Sequence, residues 1–98
     1  PAVSKPIYTG KPMPVGKPIP VGSFPEGVAV SPNSARLYIT NTISDNVSVI
    51  DTKTNTVVGK PIPVGKTPID VAVSPNSARL YITNYDSNNV SVIDTGAR

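Results

Sequence analysis

With neither histidine nor cysteine in the chain, the usual general base, the commonest zinc ligand, the thiolate nucleophile and the usual haem ligands are all missing. Acid–base chemistry would therefore fall to carboxylates, and Glu26 and Asp70 are the pair that deserves testing. Glycoside hydrolysis needs two carboxyls at a fixed separation across a substrate-shaped cleft. Nothing around these two residues fixes such a geometry, so no catalytic residue and no cofactor is expected. Asp86-Ser87-Asn88-Asn89 offers oxygens suited to calcium but lacks the full spacing of a calcium loop, and reads as turn chemistry. No metal site is assigned. Asn46-Val47-Ser48 and Asn89-Val90-Ser91 fit the N-glycosylation acceptor pattern, although an asparagine opening a strand also has structural uses.

The elements that hold these residues come from a repeat. Val28–Asn41 and Val71–Asn84 both read VAVSPNSARLYITN, and NVSVIDT recurs at Asn46 and Asn89, an offset of 43 residues. Aligning 15–55 with 58–98 leaves 31 of 41 positions identical. Each unit holds four runs rich in β-branched residues, separated by turn residues. In the first unit these are strand A (Gly27–Ser31), strand B (Arg36–Asn41), strand C (Asn46–Asp51) and strand D (Thr56–Val64). Apolar residues fall on both faces of B and C: Leu37 and Ile39 against Tyr38, then Val47 and Val49 against Ile50. That pattern suits a sheet covered on both sides. Four strands in about 43 residues match a β-propeller blade, whose repeat is roughly 40–45 residues.

Pro61 and Pro63 are two residues apart, so their missing N–H groups share one edge of strand D. Placing that edge outermost loses no ladder bond and, with Lys60 beside it, blunts the edge against aggregation. Val15–Gly22 copies Val58–Gly65 (VGKPIPVG) and is therefore a second D-type strand. The organisation is then an N-terminal extension (1–10), a D strand (11–22), an ABCD unit (23–65), an ABC unit (66–95) and a tail (96–98).

In this order the D-type segment precedes one unit, and the last ABC triplet has no D of its own. Two units cannot close a ring, which needs roughly four to eight blades. The expectation is a head-to-tail homo-oligomer, a trimer giving about six blades or a tetramer giving about eight. Val15, Ile19 and Val21 of one copy would pair there with the strand of another that carries Val90, Val92 and Ile93. The net charge of +3 is small and its lysines and arginines are dispersed, so no nucleic-acid partner is expected. No apolar run reaches the roughly 18–20 residues of a membrane span, so no membrane insertion is expected, and residues 1–98 do not read as carrying a targeting segment.

Tyr38-Ile39-Thr40-Asn41 and Tyr81-Ile82-Thr83-Asn84 resemble the Tyr-Val-Thr-Asn signature of the YVTN-type β-propeller repeat, and the likeness extends through SPNSARLYITN, NVSVIDT and PIPVG over nearly all of 15–95. Ser34 stands where that family often has glycine, a departure confined to turn geometry. The resemblance implies an all-β propeller and an extracellular or cell-surface location. The metal- and haem-dependent activities of some relatives need His or Cys ligands and do not carry over.

The two units differ mainly in their D–A and B–C connections, which emerge together at one end of a blade. Phe24, Glu26, Asp45, Ile69, Asp70, Tyr85 and Asp86 are the candidate binding-face residues, for a glycan or a protein. The leading expectation is a non-catalytic structural module that assembles with itself; the alternative is a surface-binding module using those loops.

Overall fold

A computed structural model describes residues 10–96. The expectations for residues 1–9, 97 and 98 lie outside the described residues. The described chain is all-β, with two antiparallel sheets and no closed barrel. The first sheet contains β1 (Pro25–Val30), β2 (Arg36–Asn41), β3 (Asn46–Asp51), β4 (Thr56–Val57) and β5 (Ile62–Pro63). The second contains β6 (Pro68–Val73), β7 (Arg79–Asn84) and β8 (Asn89–Asp94). Each is a meander in chain order, β1-β2-β3-β4 and β6-β7-β8, with β5 also on the outer edge of β3.

Strands B and C fall where turn residues delimit them, at β2 and β3. The Ser-Pro-Asn-Ser turn is closed by its own side chains: Asn33 Oδ1 accepts from Ala35 N–H at 3.0 Å, and Ser31 Oγ accepts from Arg36 N–H at 3.1 Å. Asn76 and Ser74 repeat both bonds in the second unit. Strand A begins earlier than its composition suggests, at Pro25, because a register shift between Pro25 and Val28 lets the chain pair with Asn41 and then with Ile39. The same irregularity lies between Pro68 and Asp70.

Strand D is not one strand. Gly59 takes a left-handed conformation (φ 68°) and divides it into β4, opposite Ile50 and Asp51, and β5, opposite Val47 and Asn46. The Val64 N–H bonds to Asp45 O at 3.2 Å. By strand alternation this turns the nitrogens of Pro61 and Pro63 away from β3, so no ladder bond is sacrificed. Residues 11–22 form no strand within this chain.

The core lies between the sheets. Tyr38 and Val47 of the first sheet pack with Leu80 and Ile82 of the second, bordered by Val49, Ile62, Val64, Val71, Val73 and Ile93. Fully burying a side chain of this size contributes roughly 1.5–3 kcal/mol. This is the only face that each sheet covers with the other, and the consequence is visible at repeat-equivalent positions. Tyr38 is buried while Tyr81 is 43% exposed, and Val47 is fully buried while Val90 is 53% exposed. On the other side, Leu80 and Ile82 are buried while Leu37 and Ile39 are only half-buried, with Val28 64% exposed beside them.

Candidate functional site

The D–A and B–C connections come together at one end of each sheet, as their positions in the repeat require. In the first unit Thr42 N–H bonds to Phe24 O at 2.9 Å, Ile43 N–H to Ser23 O at 3.2 Å, and Ser23 N–H to Ser44 Oγ at 2.9 Å. In the second, Tyr85 N–H bonds to Thr67 O at 2.9 Å and Lys66 N–H to Ser87 Oγ at 2.8 Å. Phe24 and Tyr85 are the exposed aromatic groups of this end, at 67% and 72%. Phe24, Thr67, Asp45 and Asn88 all adopt positive φ, so these loops are held in defined and mildly strained conformations.

The candidate carboxylates have different local partners. Glu26 Oε1 lies 3.2 Å from the Thr42 hydroxyl, whose one proton goes to the nearer Pro68 O, and Asp86 Oδ2 accepts from the Thr67 hydroxyl, whereas Asp70 is exposed on β6. Asp45 is half-buried, and its Oδ1 accepts from Thr67 N–H at 2.9 Å. The oxygens of the 86–89 segment are engaged locally: Ser87 Oγ with Lys66 N–H and Asn89 Oδ1 with Asn84 Nδ2. Among the described residues no group of three or more His, Cys, Asp or Glu side chains is placed to hold a metal ion. No helix there is long and apolar enough to cross a membrane.

The two acceptor-pattern asparagines have structural partners. Asn46 Oδ1 accepts from Asn41 Nδ2 at 2.8 Å, and Asn89 Oδ1 from Asn84 Nδ2 at 2.9 Å. Asn41 also donates to Ser48 Oγ at 2.9 Å, and its Oδ1 accepts from Gly22 N–H at 3.1 Å. It thus pins the strand B–C pair and the incoming D–A segment from a fully buried position. Asn84 repeats the bonds to Asn89 and Ser91, but its Oδ1 is buried without a partner.

Of the residues that join the two sheets, Asp45 is a candidate from the sequence, whereas Thr40 and Thr42 are not. The Thr40 hydroxyl accepts from Gly27 N–H at 2.7 Å and donates to Ile69 O at 2.9 Å. The Thr42 hydroxyl donates to Pro68 O at 2.7 Å. With Asp45 on Thr67 N–H, the first unit grips three consecutive residues, 67–69, of the second. For Thr40, a polar side chain on a buried face of β2 is the signal that could have found it. Gly27 lies beneath this grip: a β-carbon there would stand 2.5 Å from Ile69 O.

Two hollows remain. One of about 600 Å³ opens between the outer strands of the sheets, lined by Tyr38, Val49, Val58, Ile62 and Leu80 among others. Another of about 430 Å³ lies on the uncovered side of the second sheet, at Ile69, Thr83, Tyr85 and Val90. The edge of β8 from Asn89 to Ile93 carries no further strand among the described residues, and Val90 and Val92 are exposed there. Val15 is exposed, while Ile19 and Val21 are half-buried.

No family model and no curated protein matches this sequence. Among solved structures, the chain is similar to Kuenenia stuttgartiensis hydrazine synthase, at 33% identity and a TM-score of 0.71, over 76% of this chain and 22% of that one. It is also similar to a functionally unknown protein from Desulfotomaculum acetoxidans DSM 771, at 16% identity and a TM-score of 0.59, over 74% of this chain and 27% of that one. The second likeness is one of fold alone. The chain spans about a fifth to a quarter of the length of these proteins, and what the likenesses share with it is an all-β architecture of antiparallel sheets.

Proposed function

We propose that the chain is a non-catalytic structural module: blades of a YVTN-type β-propeller that associate with further copies of themselves into a closed ring of three or four chains. One observation carries the reading. The exposed face of the second sheet (Tyr81, Val90, Val92) has the same sequence as the first-sheet face (Tyr38, Val47, Val49) that is buried inside the chain. The other face of the first sheet, where Val28 and Val30 are exposed and Leu37 and Ile39 half-buried while Ile50 is buried, has the sequence of the second-sheet face (Val71, Val73, Leu80, Ile82) that packs against Tyr38 and Val47. Each chain therefore presents both halves of a contact it already makes internally, on opposite sides. Such a head-to-tail contact propagates until it closes, and repeat units gain stability from each neighbour they cover.

Residues 15–22 fit the outer edge of β8 in the same way. Val58 N–H bonds to Val49 O at 2.8 Å and Ile62 pairs with Val47, so Val15 would bond to Val92 O, and Ile19 would pair with Val90, of a neighbouring copy. A cell-surface location accords with the repeat resemblance. Size-exclusion chromatography with light scattering tests the reading: three or four times 10.2 kDa is expected, and a folded monomer at all concentrations overturns it.

A second reading is favoured by the exposed Phe24 and Tyr85 at the loop end: a module that binds a glycan or protein through its D–A and B–C loops. Exchanging these loops between the units would abolish such binding and leave the mass of the assembly unchanged.

A further inference from the structure

The contact between copies cannot repeat the internal contact at its inner end, the end beside the D–A and B–C connections where β1 and β6 begin. Inside the chain, Gly27 is buried where β1 meets β6, and a β-carbon on it would stand 2.5 Å from Ile69 O, 3.0 Å from the Asp70 Cα and 3.0 Å from Thr40 Oγ1. Real β-carbons do not approach a carbonyl oxygen that closely, and the opposing atom is backbone, which has no rotamer to escape through. One repeat later the residue in this place is Asp70, and the residue opposite it on an arriving copy is Glu26, the counterpart of Ile69. The surrounding grip changes too: Thr42 and Asp45 become Tyr85 and Asn88. Only Thr83 keeps its part, accepting from Asp70 N–H at 3.2 Å where Thr40 accepts from Gly27 at 2.7 Å.

We propose that Asp70 is a specificity-determining wedge at the self-association surface: its β-carbon holds the inner end of the contact between copies apart from the Glu26 backbone. This inference rests on the self-assembly reading. It makes the contacts around a ring alternate, tight within each chain and opened at the inner end between chains. It also sets the order of association, because the weaker contact is the one that must form between molecules.

The test is a dilution series by sedimentation velocity on the wild type, Asp70→Gly, Asp70→Ala and Asp70→Asn. Asp70→Gly is expected to tighten self-association about tenfold or more, while Asp70→Ala and Asp70→Asn, which retain a β-carbon, stay near wild type. Tightening by Asp70→Ala as large as that by Asp70→Gly would overturn the wedge and assign the effect to the carboxylate. Unchanged association of Asp70→Gly would overturn it outright. If every variant is monomeric throughout, the self-assembly reading itself falls. Gly27→Asp places the same wedge inside one chain, and a melting temperature equal to wild type would overturn the steric argument irrespective of oligomeric state.

Discussion

The carbonyl oxygen of Ile69 occupies the space that a side chain on Gly27 would need, and the Thr40 hydroxyl links the two residues by bonding to both. The two sheets therefore meet backbone to backbone at this end, which only glycine permits. Gly27→Ala should destabilise the chain by about 1–3 kcal/mol, the usual cost of overpacking. Asp70→Ala, at the repeat-equivalent but exposed position, should change stability by less than about 0.5 kcal/mol. Urea unfolding of the dissociated chain checks the contrast; equal effects at the two positions would refute it.

Position 47 and position 90 carry the same residue in the same strand context with opposite burial. Val47→Lys forces a charge into the core and should abolish cooperative folding. Val90→Lys should leave the chain folded, as judged by circular dichroism, yet prevent the proposed self-association. A Val90→Lys variant that still assembles at wild-type concentration would remove the sheet face from the contact.

Asn41 serves three partners from a buried position, Gly22, Asn46 and Ser48. Asn41→Leu leaves those groups without it and should cost about 1–3 kcal/mol. Asn84→Leu should cost less, because the Asn84 Oδ1 has no partner to lose. The readout is a lowered urea midpoint with an unchanged slope.

Burial raises the Tyr38 phenol above its ordinary value of 10.0, with Arg36 opposing in smaller measure. The folded state thus holds this proton more tightly than the unfolded state does. Its contribution is intact below about pH 10 and is lost as pH rises through the folded value. Tyr38→Phe should flatten that alkaline loss in thermal melts between pH 9 and about 11, whereas Tyr81→Phe, on the exposed face, should not.

Ser34 and Ser77 adopt φ of 62° and 63° in the A–B turns, a conformation that glycine takes without a β-carbon penalty. Ser34→Gly should therefore stabilise by up to about 1 kcal/mol, seen as a higher melting temperature. A lower one would show that the serine side chain contributes more than its strain costs.

Strands B and C were legible to the residue because polar turns bound an alternating run on each side. The bulge after Pro25 was not, since nothing in Pro-Glu-Gly distinguishes a register shift from a loop. Strand D read as continuous because Gly59 lies within an otherwise β-type run, and only its left-handed φ divides it. The D–A and B–C connections, whose variation drew the candidate residues, bond to each other at one end of each unit. The residues that grip the neighbouring unit, Thr40 and Thr42, were missed because their roles depend on what arrives opposite them. The largest gap has the same origin: a sequence that repeats itself cannot say which copy of a face is covered. Tyr38 and Tyr81 are indistinguishable until the sheets are stacked.

Because the covered face and the uncovered face share one sequence, gaining or losing a 43-residue unit leaves a contact of familiar composition on either side of the change. Copy number can then drift by duplication without a new interface having to evolve. The record of which unit belongs where lies in the few positions at which the units differ, among them Gly27 against Asp70 and Thr42 against Tyr85. Those few positions would have to diverge for an array of such units to acquire a fixed length.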